Sequence, residues 1–196
     1  MKKGLLTVLM TVVMTIPAFA AKGDMSIDAK LGLGVSNSIK MIVEDEYKLG
    51  FDVKNPFSLG AEFFYGLSDI LSLGVGANYI FNSETDGYFD DLKVGTTNLY
   101  VAVKPEFKIE SNVFSNIYLI GQIGLAINRI DWENRSVSVD NGLYLGAGFG
   151  TTIKDAFFVE LVLSSSNGHA KRNNGGSSAN IQYTATTINV GYRFSL

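Results

Sequence analysis

Apolar side chains stand at every second position along most of this chain, and a strict period of two is the pattern of extended strands. In "FSLGAEFFYGL", Phe57, Leu59, Ala61, Phe63, Tyr65 and Leu67 alternate with Ser58, Gly60, Glu62 and Gly66. The same phase holds in "MSIDAKLGLGV" from Met25 and in "LSLGVGANYIF" from Leu71. It is less clean in "NLYVAVKPEFKI" from Asn98, "GLYLGAGFGTTI" from Gly142 and "AFFVELVLSSS" from Ala156. In "IYLIGQIGLAIN" from Ile117, Tyr118 and Ile120 also occupy the otherwise polar row. The last nine residues, "INVGYRFSL", alternate through to Leu196. Eight strands are predicted, with Pro105 placed near a rim because proline cannot donate to a ladder.

The connections alternate in length. Long polar ones cover residues 36–56, 82–96, 131–141 and 165–182, and short ones fall at residues 68–69, 110–115 and 154–155. Short turns at one end and long loops at the other are the mark of an outer-membrane barrel. An even strand count leaves both termini at the short-turn end.

The first residues, "MKKGLLTVLMTVVMTIPAFA", give two lysines, an apolar core and Ala18-Phe19-Ala20. That order is a secretory signal peptide, expected to be cleaved after Ala20. Its apolar core is shorter than the roughly 20 residues of a spanning helix. The expected division is a signal peptide at 1–20 and one barrel domain at 21–196. The exported chain has no cysteine, so disulfides do not hold it together. Its net charge of −3 and the lack of a basic run argue against nucleic acid.

A soluble barrel would turn its apolar row toward a ligand cavity and carry many charges outside. Here the polar row is rich in Gly, Ser and Asn, which suits the narrow lumen of eight strands. The apolar row is continuous and carries aromatic residues, as contact with lipid requires. The predicted fold is all-β, an eight-stranded antiparallel up-and-down transmembrane β-barrel. By parity, Asp28, Glu62, Glu106 and Glu160 point inward, as do Lys30, Lys104, Lys108 and Arg193. Unpaired, each would cost several kcal/mol, so a paired network that blocks the lumen is expected.

The alternating Ile188, Val190, Tyr192 and Phe194 of the final strand resemble the small outer-membrane β-barrel proteins of Gram-negative-type bacteria. That group includes the transmembrane domain of outer membrane protein A and the Ail-type and opacity-like surface proteins. The resemblance covers residues 21–196. It implies an outer-membrane location among lipid and lipopolysaccharide, and reading of the last strand by the barrel assembly machinery. The family usually ends in phenylalanine, where this chain has Leu196. Some relatives carry a long C-terminal extension that tethers them to peptidoglycan, and a cell-wall tether of that kind is not expected here.

Three local features could carry more than structure. Ser164-Ser165-Ser166-Asn167 resembles the His-x-Ser-Asn motif of eight-stranded lipid A deacylases, with Ser164 in the place of the catalytic His. Ser166 would be the nucleophile, but a serine without a general base is a poor one. His169, the only histidine, lies three residues further on. The acidic stretches "EDEY" from Glu44, "ETDGYFDD" from Glu84 and "IDWENR" from Ile130 lack the spacing of an EF-hand, so no metal or other cofactor is assigned. Tyr88, Phe89 and Trp132 are aromatics that could anchor a surface or host ligand, or belong to the interfacial girdle. The reading is a monomeric, non-enzymatic barrel that displays four loops for envelope integrity or adhesion. The alternatives are an acyl hydrolase acting on lipid A through Ser166, or a narrow channel for small solutes.

Overall fold

The computed structural model describes residues 23–43, 47–85, 92–132, 135–137, 139–170 and 179–196. Ten strands follow in order: β1 (Met25–Val43), β2 (Tyr47–Asp52), β3 (Phe57–Ser68), β4 (Leu71–Glu84), β5 (Leu92–Lys108), β6 (Phe114–Trp132), β7 (Arg135–Val137), β8 (Gly142–Ile153), β9 (Phe157–Ala170) and β10 (Ala179–Ser195). Eight of them, all but β2 and β7, pair with their neighbours and close into a ring through β10 and β1. Every pairing is antiparallel. β2 folds back on β1 and β7 on β6, both at the long-loop end.

The final strand alternates to its end because it closes the ring. β10 pairs with β1 from Ser195 opposite Ser26 to Ala179 opposite Val43, and the Leu196 N–H donates to the Met25 carbonyl at 2.9 Å. The apolar row faces outward: Phe57 is 67% exposed and Leu31 61%, while Asp28 and Glu62 on the opposite row are buried. This burial is the reverse of a water-soluble domain. A belt of exposed Leu, Ile, Val and Phe of this extent fits hydrocarbon as its solvent.

The connections read as polar loops are in large part strand. β1 runs on to Val43, β4 to Glu84, β6 to Trp132 and β9 to Ala170, and β2 lies within residues 36–56. The alternation continues there with its polarity reversed. In β10, Ile181, Tyr183 and Ala185 face inward while Gln182 and Thr184 face outward. In β1, a bulge between Gly34 and Ser36 shifts the phase by one and turns Ile39 inward. Beyond the bilayer the outer face meets water and the inner face is the dry one. Ile39, Val53, Ile80, Val94, Ile130, Ile181 and Tyr183 therefore make an apolar core in that half of the lumen. The expectation of a polar interior throughout is corrected accordingly.

Pro105 lies three residues from the short-turn end of β5, opposite Leu71, with no register shift on either side. The Glu106 N–H after it donates to the Ile70 carbonyl at 2.8 Å. The turns are tight at residues 69–70 and 154–156, with a longer one at 109–113. Lys154 and Asp155 both have positive φ, 49° and 60°, the left-handed pair of a type I′ hairpin turn. Asp tolerates this conformation and Lys does not. Lys154→Gly is therefore expected to stabilise the barrel by about 1 kcal/mol, measured as a higher urea midpoint of unfolding from lipid vesicles. A lower midpoint would show that the lysine side chain makes a contact worth more than the strain.

Candidate functional site

The inward charges occupy the lumen within the lipid-facing band and separate into two clusters. Nearer the short-turn end, Asp28 on β1 accepts from Lys104 Nζ at 2.7 Å, Arg193 Nε at 2.9 Å and Arg193 Nη2 at 3.2 Å. Glu106 accepts from Arg193 Nη1 at 3.1 Å and lies 3.4 Å from Lys104 Nζ. Two residues further along β1, Lys30 Nζ donates to Glu62 Oε1 at 2.9 Å and to Glu160 Oε1 at 3.1 Å. Asp28 and Glu62 are cross-strand neighbours of like charge. Their repulsion is offset because each is held by different cations.

Seven of the eight expected charges meet in these clusters. Lys108 does not: it stands exposed at the very end of β5, past the mouth of the lumen. Parity gave its row correctly, but by that point β5 has run past the end of β4 and pairs with β6 alone, at the rim of the barrel. Four carboxylates then face three cations, and neutral donors make up the balance. Tyr100 Oη and Gln122 Nε2 donate to Glu62 Oε1 at 2.8 and 2.9 Å, and Asn189 Nδ2 donates to Glu160 Oε1 at 3.1 Å. Tyr144 Oη in turn donates to Gln122 Oε1 at 2.8 Å. Tyr100 and Gln122 went unremarked in the sequence, although both stand on the inward rows of their strands.

Aromatic rings fill the space around the charges. Lys104 Nζ lies 3.5 Å from the centroid of the Phe64 ring and 5.3 Å from that of Tyr118, so its charge is held by rings as well as by carboxylates. Tyr100 and Tyr144 stack with centroids 5.3 Å apart. Room for them comes from inward glycines. A Cβ at Gly76 would stand 2.5 Å from the Tyr100 ring, and one at Gly150 would stand 2.5 Å from the Tyr118 ring.

The deacylase-like stretch does not assemble. Ser166 is buried on the inward row of β9, between Tyr144 and Tyr183, and its hydroxyl has no hydrogen-bond partner. His169 is exposed on the outward row, with the sheet between it and Ser166. Asn167 is also outward and accepts from the Leu143 N–H at 2.8 Å. A nucleophile enclosed in the lumen and a base outside it give no support to acyl hydrolysis. Tyr88 and Phe89 lie outside the described residues. Of Trp132 the structure describes the backbone, which ends β6 opposite Leu92 and Arg135. Among the described residues, no group of three His, Asp or Glu is placed to hold a metal ion.

Lys30 is the only cation touching either Glu62 or Glu160 among the described ion pairs. Lys30→Met should leave two buried carboxylates without their counter-charge and destabilise the barrel by about 3–5 kcal/mol, read as a lower urea midpoint. Arg193→Leu should cost less, because Lys104 still holds both Asp28 and Glu106. Equal midpoints for Lys30→Met and the wild type would mean that water reaches the deep cluster.

No curated protein matches the chain. Among solved structures, it resembles OprG of Pseudomonas aeruginosa at 15% identity and a TM-score of 0.52, over 89% of this chain and 97% of that one. It resembles AlkL, solved in DMPC lipid bilayers, at 10% identity and a TM-score of 0.58, over 90% of this chain and 92% of the other. The Neisserial surface protein A matches at 12% identity and a TM-score of 0.50, over 87% and 97%. At such identities the likeness is one of fold. The family model for the outer membrane protein beta-barrel domain matches residues 6–194, nearly the whole chain. With its closed ring, outward apolar belt and charged lumen, the chain belongs to the outer membrane protein β-barrel family and is a bacterial outer-membrane barrel.

Proposed function

We propose that this barrel is a closed scaffold that strengthens the outer membrane and displays its long-loop end at the cell surface. The observation that carries this reading is the lumen. Two ion-paired clusters, a layer of aromatic rings and an apolar core fill it in succession. A solute crossing it would have to displace buried, mutually paired charges, each costing several kcal/mol to strip of its partner.

The strands run well past the lipid-facing belt at the long-loop end, so the displayed surface stands on a rigid collar. Tyr88, Phe89 and Trp132 are the aromatics offered to a surface or host ligand there. The signal peptide is removed after Ala20, and the alternating final strand is the segment presented to the barrel assembly machinery. The lipid-facing belt is in contact with outer-membrane lipid and lipopolysaccharide.

Planar-bilayer recordings test the closed lumen, with the refolded chain expected to give no conductance steps. Steps in the wild type that grow in Lys30→Met would overturn the scaffold reading in favour of a channel. Surface display is tested in cells carrying the Tyr88→Ala, Phe89→Ala and Trp132→Ala variant. Detergent resistance is expected to stay at the wild-type level while attachment to host or neighbouring cells falls. Loss of detergent resistance with attachment intact would reverse the assignment of those residues.

A further inference from the structure

Arg129 stands on the outward row of β6, next after Ile127, where the apolar surface of that strand ends. A cation on the outside of a membrane barrel is costly at mid-bilayer and tolerable at the headgroup level. Its guanidinium lies 4.5 Å from the centroid of the Tyr79 ring on β4, two strands away. Gly95, its cross-strand partner on the intervening β5, has no side chain to obstruct that reach. Tyr79 is held in place by an edge-to-face contact with Phe81, with centroids 4.9 Å apart.

Two nitrogens of this guanidinium, Nε and Nη2, are buried and have no hydrogen-bond partner. They share one edge of the guanidinium plane, the edge that takes two oxygens of a single phosphate or carboxylate. Buried charged donors without an acceptor are unfavourable, and this pair is preorganised for a bidentate anion. Lys93 is exposed on the outward row of β5, two residues beyond Gly95, and adds positive charge nearby. Glu84, its cross-strand neighbour, is engaged by Lys54 at 3.0 Å.

Below this headgroup-level cation the wall is indented. Ala29, Ala61 and Ala77 stand side by side in register on β1, β3 and β4, all on the outward row. Ala61 and Ala77, with Ile27, Phe63 and Val75 beneath them, border an open apolar depression of about 400 Å³. On β5, Gly95 pairs with Arg129 and Leu99 pairs with Ala77. Tyr79, under the guanidinium, stands two residues from Ala77 on the same row of β4, so the cation lies about 7 Å along that strand from the depression. A cation at the headgroup level and an apolar depression beneath it match the phosphate and the acyl chain of one lipid molecule.

We propose that the outer wall of β3–β6 binds a phosphorylated lipid of the outer leaflet. Its phosphate is held bidentately by Arg129 over Tyr79, and one acyl chain lies in the depression between Ala61 and Ala77. The proposal rests on the outward apolar row facing lipid, and it adds a defined site to that general contact. The site is not part of the lumen and uses none of the charges that close it.

Native mass spectrometry of the full mature chain in detergent tests this, with bis-phosphorylated lipid A as the probe. The wild type is expected to retain the lipid, and Arg129→Gln to retain it at least about tenfold more weakly, the loss expected for a charge-assisted hydrogen bond. Arg129→Lys should fall between the two, because it keeps the charge and loses the fork. Ala61→Leu, which fills the depression from the lipid side, should weaken retention with Arg129 intact. Dephosphorylated lipid A should bind wild type and Arg129→Gln alike. Heat-dependent gel mobility confirms that each variant is folded.

Equal retention by wild type, Arg129→Gln and Ala61→Leu would overturn the site. Competition by inorganic phosphate at the strength of the lipid would overturn it in favour of a free-anion site. A chain that stays soluble without detergent and retains no lipid would instead overturn the membrane-facing assignment of the apolar row.

Discussion

The main-chain hydrogen bonds of the barrel wall have no alternative partners. In hydrocarbon no water is available to an N–H or C=O group, so each must be paired within the protein, and a sheet can do this only by closing on itself. The closure lies between the first and last strands, from Ser26 opposite Ser195 to Val43 opposite Ala179. The fold is therefore complete only when the C-terminal strand has joined, which is why its alternation persists to the last residue.

Closure with eight strands also sets the width of the lumen, and the width dictates what fills it. A ring this small holds side chains and little else. Several of the inward aromatic rings have a glycine as a neighbour across the strand, as with Tyr100 and Gly76 or Tyr118 and Gly150. Charges placed in that space can be stable only as partners of one another. Asp28, Lys104, Glu106 and Arg193 form one such set, and Lys30, Glu62 and Glu160 the other. The closed lumen follows from the diameter and the need to pair charge, without a dedicated plug segment among the described residues.

The bilayer is legible in the phase of the strands. Within it, apolar side chains face out and polar ones face in. Past its edge the same strands carry Ile181 and Tyr183 inward and Gln182 and Thr184 outward, because the outer surface there meets water. Arg129 stands close to the level at which this reversal occurs. A cation there has water and headgroups on one side and an aromatic ring on the other, so its position is set by the membrane's edge as much as by its neighbours.

The period of two by itself determined the eight strands of the ring and the inward row of their lipid-facing stretches, because side-chain direction in a strand is fixed by parity. It placed Asp28, Lys30, Glu62, Lys104, Glu106, Glu160 and Arg193 on that row from the sequence. It did not determine where each strand leaves the wall, so it could not separate Lys108, at the open end, from Glu106 two residues earlier. The phase change in β10, from Ala185 to Ile188, was present in the sequence but looked like the end of a strand. Only the closed ring decided which charges meet, since residues as far apart in sequence as Asp28 and Arg193 become neighbours when β10 joins β1. Ser166 and His169, three residues apart, lie on opposite faces by parity once β9 runs on to Ala170, whereas the ring brings Arg129 and Tyr79 together from two different strands. Parity is a local property of the chain, whereas partnership depends on register across strands, which closure sets.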